Sequence, residues 1–167
     1  FPNQMLMGAM PAECDSLIYR MGVEIGRQCR KMGIHINFAP VVDLNSNPAN
    51  PVIGVRSFGE DKEAVARKGI MYVKGMQSQR VVAVAKHFPG HGDTDVDSHY
   101  DLPLINHSRD EVLGVDVYPF RKLIEAGVRG VMVAHLQVDA YDATPNMPVT
   151  LSKAVVTDLL RNELGFD

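Results

Sequence analysis

The sequence has no apolar run approaching the ~20 residues of a membrane span, and no charged stretch leading into an apolar one at its start. It therefore reads as a chain that neither crosses nor targets a membrane by itself. It also lacks any Lys/Arg-rich run. Seventeen Lys plus Arg against twenty Asp plus Glu leave a net charge of -3, which removes the electrostatic footprint of a nucleic-acid binder and leaves neutral or acidic small molecules as partners. Cysteine is scarce. Cys14 and Cys29 are too few for a disulfide scaffold, and on one helix they would stand about 22 Å apart, so free buried thiols are expected. Such thiols leave the compartment open between cytoplasm and periplasm. The chain opens on Phe1 instead of Met, which points to excision or truncation. What is present is globular in composition, 46% hydrophobic and 22% charged over 167 residues, enough to bury roughly two thirds of the unfolded surface.

Apolar residues Ile18, Met21, Ile25, Cys29 and Met32 recur at helical steps and predict an amphipathic helix from Asp15 to Met32, stopped by Gly33. Ile34 to Phe38 reads as a strand, followed by a long Asn- and Pro-rich loop. Asp61 is placed to cap a second helix whose stripe is Val65, Gly69, Tyr72 and Met76, and a second strand, Val81 to Ala85, follows it. Ser108 and Glu111 form a capping-box pattern for a third helical region, which Pro119 restarts. Val131 to Ala134 is the third strand, and Ser152 is expected to cap a last helix ending near Leu164.

The strand ends Ala39, Ala85 and Ala134 are nearly evenly spaced, each followed by a loop, a helix and a short return. This is a repeated βα unit, which suits either a (β/α)8 TIM-type barrel or a doubly wound sheet. No G-x-G-x-x-G follows the first strand, and the unusual polar residues cluster after strand ends, where barrel sites are built. The α/β class with an incomplete barrel is the expectation, since a closed barrel takes about 250 residues and three strands are readable here.

The densest chemistry lies between Lys86 and His99, which holds Lys86, His87, His91, Asp93, Asp95, Asp97 and His99. A calcium loop starting at Asp93 fails on spacing, because Ser98 stands where glycine and Leu104 where glutamate would be needed. A metal site drawn from His87, His91 and His99 is a minor alternative, as Pro89 and Gly90 interrupt any H-E-x-x-H helix. A solvated turn is the bland reading. Against it stands Asp97, two residues before His99. That spacing lets a carboxylate orient the imidazole and raise its pKa, giving a group able to donate and then accept a proton near neutrality.

KHFPGHG at Lys86 to Gly92 with DSH at Asp97 to His99, FAPVVDL at Phe38 to Leu44 and NPVIGVRSFGED at Asn50 to Asp61 resemble the family 3 glycoside hydrolases, in their bacterial β-N-acetylhexosaminidase branch. PFRKLIEAG at Pro119, MVAH at Met132 and LLRNELGFD at Leu159 extend the resemblance over nearly the whole chain. It implies that residues 1–167 are an internal part of a single catalytic (β/α)8 barrel domain. It also implies retaining removal of terminal β-linked N-acetylglucosamine, with no metal or organic cofactor. The substrates implied are N-acetylglucosamine glycosides such as peptidoglycan or chitin fragments.

By the same resemblance His99 is the acid/base, Asp97 its partner, Lys86 and His87 ligands of the sugar hydroxyls, and Arg56 the arginine of the R-x-F-G stretch, whose charge suits it to bind hydroxyl or carbonyl oxygens of the sugar. Lys86 and Arg56 also have a plainer reading as ion-pair partners of Asp43 or Glu60. His135, at the third strand end, is as much a packed neighbour as a ligand. His35 and His107 read as structural or surface residues. The family's nucleophilic aspartate lies on the strand after GF-x-G, so this chain is expected to stop just before it, Asp167 not being that residue, and to turn over little substrate alone. Retaining glycosidases generally pair two carboxyl groups. An imidazole in place of one adds no negative charge beside the nucleophile and would tolerate an anionic acceptor such as phosphate. The competing functions are an inactive sugar-binding barrel and a metal hydrolase using the histidine cluster.

Overall fold

The computed structural model describes residues 1–94 and 102–167. In chain order its elements are α1 (Gln4–Gly8), α2 (Asp15–Lys31), β1 (Ile36–Asn37), α3 (Lys62–Ser78), β2 (Val82–Phe88), β3 (Leu104–Ile105), α4 (Arg109–Glu111), α5 (Tyr118–Glu125), β4 (Gly130–Val133), β5 (Gln137–Val138) and α6 (Ala154–Glu163). A π-helical stretch, Val112–Asp116, joins α4 to α5, and α6 is wound in the same wide manner.

The helix ends fall where side chains can satisfy free backbone groups. Beyond α2, Gly33 takes a φ of 74° and lets the Ile34 N–H turn back to the Cys29 carbonyl at 2.8 Å. Asp61 accepts the Ala64 N–H at 2.7 Å and starts α3. Ser108 and Glu111 make the reciprocal capping box before α4, and Pro119 lies in the first turn of α5. Ser152 departs from expectation. Its hydroxyl donates to Asp142 Oδ2 at 2.6 Å and makes no cap of α6.

Among the described residues, β1, β2 and β4 form a parallel sheet in chain order, with Ile36 opposite Val82 and Val84 opposite Gly130. Helix α3 packs against α2 on one flank and α5 on the other, and both α3 and α5 lie on β2. Successive strands that neighbour one another, with successive helices side by side over one face, describe an arc of a (β/α)8 barrel; a doubly wound sheet would place helices on both faces. The core between them holds Val65, Val73, Met76, Ala83, Ala85, Phe88, Phe120 and Leu123.

β2 runs three residues further than the expected Val81 to Ala85, through Lys86 and His87 to Phe88, so the candidate site begins inside a strand. β1 is shorter than expected, and His35 precedes it and is exposed. A second parallel pair, β3 with β5, was not legible in the sequence. Both cysteines are free but half-buried, where buried thiols were expected.

Candidate active site

The strand ends are brought level by backbone hydrogen bonds across the sheet. The Val42 N–H donates to the Lys86 carbonyl at 2.9 Å, and the Ala134 N–H to the Phe88 carbonyl at 2.7 Å. Lys86 pairs with Met132 and Phe88 with Val133, so His87 sits at a bulge. An extra residue at a strand end re-aims its side chain, a device common beside active sites.

Asp43, fully buried, organises that end of the sheet. Its carboxylate accepts the His87 N–H at 3.1 Å, the His91 N–H at 2.9 Å, and meets His87 Nδ1 at 2.7 Å. A buried carboxylate is tolerable when donors surround it. Because an ionised carboxylate only accepts, the proton of this contact lies on Nδ1. With that proton on Nδ1, the acceptor of the ring's neutral form is Nε2.

Arg56, on the loop after β1, and Lys86, near the end of β2, are both half-buried and line one open cavity of about 340 Å³ with Phe38, Val41 and Tyr72. Burial first, then the Arg56 charge, lower the Lys86 pKa from its ordinary value against the pull of Asp43. Arg56 Nη1 donates to the Val52 carbonyl at 2.9 Å. Among the described residues neither cation is paired with a carboxylate, since Asp43 is occupied by the histidine loop. The ion-pair reading of these two residues therefore finds no partner there, and their remaining N–H groups are available to a polar ligand.

Glycine is required in the loop after β2 for closeness. A Cβ on Gly92 would run into the Leu44 carbonyl, and one on Gly90, whose φ is 145°, would come 2.9 Å from Asp116 Cβ. Buried Asn50 then ties the two loops together, donating to the His91 carbonyl at 2.8 Å and the Thr94 hydroxyl at 3.2 Å, and accepting the Ile53 N–H. His91 is itself buried, its Nδ1 2.9 Å from the Thr94 hydroxyl.

Of the other expected residues, His135 follows β4 and is exposed, its Nδ1 3.1 Å from the Thr150 hydroxyl. Asp97 and His99 lie outside the described residues. His99 is also the third histidine of the metal alternative, and among the described residues no three His, Cys, Asp or Glu side chains are grouped to hold a metal ion. His107, read from sequence as structural or surface, stands between two carboxylates: Nδ1 is 2.7 Å from Asp116 and Nε2 2.8 Å from Asp93. Asp116 escaped the sequence reading because it carries no motif of its own, and Asn50, the first residue of NPVIGVRSFGED, was given no role there. Asp43 stood inside the FAPVVDL motif, but the role given to it was that of an ion-pair partner of Lys86 or Arg56.

Residues 1–167 match the description "Glycosyl hydrolase family 3 N terminal domain". The chain belongs to glycosyl hydrolase family 3. This family 3 chain is 42% identical over 177 residues to beta-hexosaminidase A of Pseudoalteromonas piscicida, a match taking in 99% of the chain and 30% of that protein. It superposes on the family 3 beta-N-acetylglucosaminidase from Paenibacillus sp. str. FPU-7 with a TM-score of 0.93 and 47% identity, covering 98% of the chain and 30% of that one. Native NagZ from Neisseria gonorrhoeae gives a TM-score of 0.91 at 32% identity, with 99% and 48% covered. The chain thus spans between less than a third and about half the length of these relatives, and within that span the barrel arc is shared.

Proposed function

We propose that the natural protein carrying this sequence is a retaining β-N-acetylglucosaminidase, and that these residues supply its sugar-binding cations and its acid/base pair. The observation that supports this most directly is the set of side chains at the strand ends. His87 is held by buried Asp43, and Lys86 and Arg56 share a cavity without carboxylate partners among the described residues. Cations and an imidazole acceptor at the C-terminal ends of barrel strands are suited to the hydroxyl and carbonyl oxygens of an acetamido sugar.

In the reaction, a carboxylate nucleophile from beyond these residues attacks the anomeric carbon while protonated His99 gives its proton to the departing glycosidic oxygen. Neutral His99, oriented by Asp97, then takes a proton from water as that water displaces the carboxylate. Lys86, Arg56 and His87 hold the sugar through both steps, with His135 at the rim. The substrates are N-acetylglucosamine glycosides, peptidoglycan or chitin fragments among them.

The test uses the natural polypeptide and aryl glycosides. Turnover of the N-acetyl-β-glucosaminide is expected to exceed that of the β-glucoside, and His99→Ala to lower kcat on it by roughly 100-fold or more and flatten the pH profile. A pH limb that persists unchanged in His99→Ala would refute the acid/base assignment. Saturable sugar binding without turnover would instead favour an inactive sugar-binding barrel. Adding inorganic phosphate tests the acceptor: release of the sugar 1-phosphate supports the tolerance expected of an imidazole, and products insensitive to phosphate dismiss it.

A further inference from the structure

The residues that precede and follow 95–101 are held by different parts of the fold. On the incoming side, Asp93 and Thr94 continue the glycine-rich loop after β2, where Thr94 is buried against Asn50. On the outgoing side the chain enters β3, pairs with β5, and reaches His107 just before the α4 capping box. His107 joins the two sides. Its Nε2 meets Asp93 Oδ2 at 2.8 Å while its Nδ1 meets Asp116 Oδ2 at 2.7 Å.

We propose that His107 is a positioning residue for the acid/base step, a clasp that ties residue 93 to residue 107 and anchors both to Asp116. This rests on the assignment of His99 and Asp97, which lie between those two positions in sequence, to proton transfer. Asp116 is the fixed end of the clasp. It is buried, it closes over Gly90, and the φ of 145° and absent Cβ at Gly90 are what let it approach.

Two ionised carboxylates on one imidazole require a proton on each ring nitrogen, because a carboxylate can only accept. The clasp is therefore complete only with the histidinium. Burial opposes that charge, but the hydrogen bond and charge of Asp116, followed by Asp93, outweigh it and raise the His107 pKa from its ordinary value. The other charged groups near it act in the same network: Glu111 of the capping box interacts with His107, and the Asp43 charge acts on Asp116. Burial also lifts the Asp116 carboxyl above its usual value, against the bond from His107. When pH rises through the His107 pKa, one N–H must serve two acceptors and one arm of the clasp is lost.

The experiment compares Asp93→Asn, His107→Gln and the double variant in the natural polypeptide. Asp93 is the more exposed partner, so Asp93→Asn keeps the test valid where His107→Gln unfolds. Each single change is expected to lower kcat about 10- to 100-fold with KM within about twofold, because a reacting group displaced by ~1 Å costs on that scale. The double variant should be no slower than the slower single one, as expected for two residues acting through one contact. The His107 titration followed by NMR should fall to lower pH in Asp93→Asn, and the thermal midpoint should hardly move. Wild-type kcat in Asp93→Asn, or losses that multiply in the double variant, would overturn the clasp. If the wild-type protein turns over neither glycoside, the glycosidase reading fails and the titration decides the clasp alone: an unmoved His107 midpoint in Asp93→Asn overturns it.

Discussion

At the scale of single residues, the decisive contact joins positions 44 apart in sequence, Asp43 and His87. KHFPGHG announces that a lysine and a histidine stand together after a strand, but it does not say which tautomer the histidine adopts. That choice follows from Asp43, whose carboxylate accepts the hydrogen bond from Nδ1–H and so keeps the proton on Nδ1, leaving Nε2 as the acceptor of the neutral ring. Asp43→Asn keeps an oxygen for the two backbone N–H groups and offers an amide donor to the ring, so the imidazole turns to the opposite tautomer. kcat/KM is expected to fall roughly 10- to 100-fold, the value of a hydrogen bond to a charged group. The 15N chemical shifts of His87 should exchange between the two ring nitrogens. An unchanged tautomer with unchanged kinetics would remove Asp43 from the mechanism.

At the scale of elements, α2 and α3 cross at glycines. A Cβ on Gly75 would strike the Tyr19 carbonyl, and one on Gly22 would lie 2.6 Å from the Tyr72 carbonyl, so the helix backbones touch where larger residues would hold them apart. Beside this contact runs an ion pair, Lys68 Nζ to Asp15 Oδ1 at 2.7 Å. The lysine is almost wholly buried and also donates to the Met10 carbonyl; Arg67 completes the group from the surface. Removing one member leaves the other charge stranded. Asp15→Ala is expected to cost about 3–5 kcal/mol in denaturant unfolding, whereas Asp15→Leu with Lys68→Met should recover most of that loss.

The pair also sets an acid limit. Burial works to raise the Asp15 carboxyl, but its bonds to Lys68 and Arg67 outweigh burial and hold its pKa below the ordinary 3.8. A lowered folded-state pKa contributes stability above the unfolded value and loses it as pH falls through the folded one. Acid unfolding below about pH 3.8 should therefore begin at higher pH in Asp15→Asn. The helical stripes were readable because a repeat near 3.6 residues is local, and the capping box was readable for the same reason. The α2–α3 glycine crossing was not, since either glycine alone is unremarkable until its neighbour helix is in place.

At the scale of the molecule, β1 has β2 on one side, and Ile34, Ile36 and Phe38 along it remain exposed, with Met32 close by in sequence. An apolar strand edge of this kind invites pairing with another chain. The 167-residue polypeptide expressed by itself is expected to self-associate, and Ile36→Lys with Phe38→Lys should reduce that. Light scattering showing a monodisperse monomer before the substitutions would contradict it.

The order of α2, β1, α3, β2, α5 and β4, the βα repeat and the residue types at the strand ends were determined by the sequence by itself. Helical and strand periodicity, capping and the adjacency of Lys86 to His87 are properties of short stretches of chain. Tertiary structure decided which carboxylate meets which imidazole. Asp43 serves His87 and is not the ion-pair partner of Lys86 or Arg56, and His107 stands between Asp93 and Asp116 and is no mere surface histidine. Those pairings depend on parallel strands aligning loops from distant parts of the chain and on glycines admitting close backbone approach. Neither condition has a local signature, because the energy of such a contact comes from burial and orientation that exist only once the core has packed.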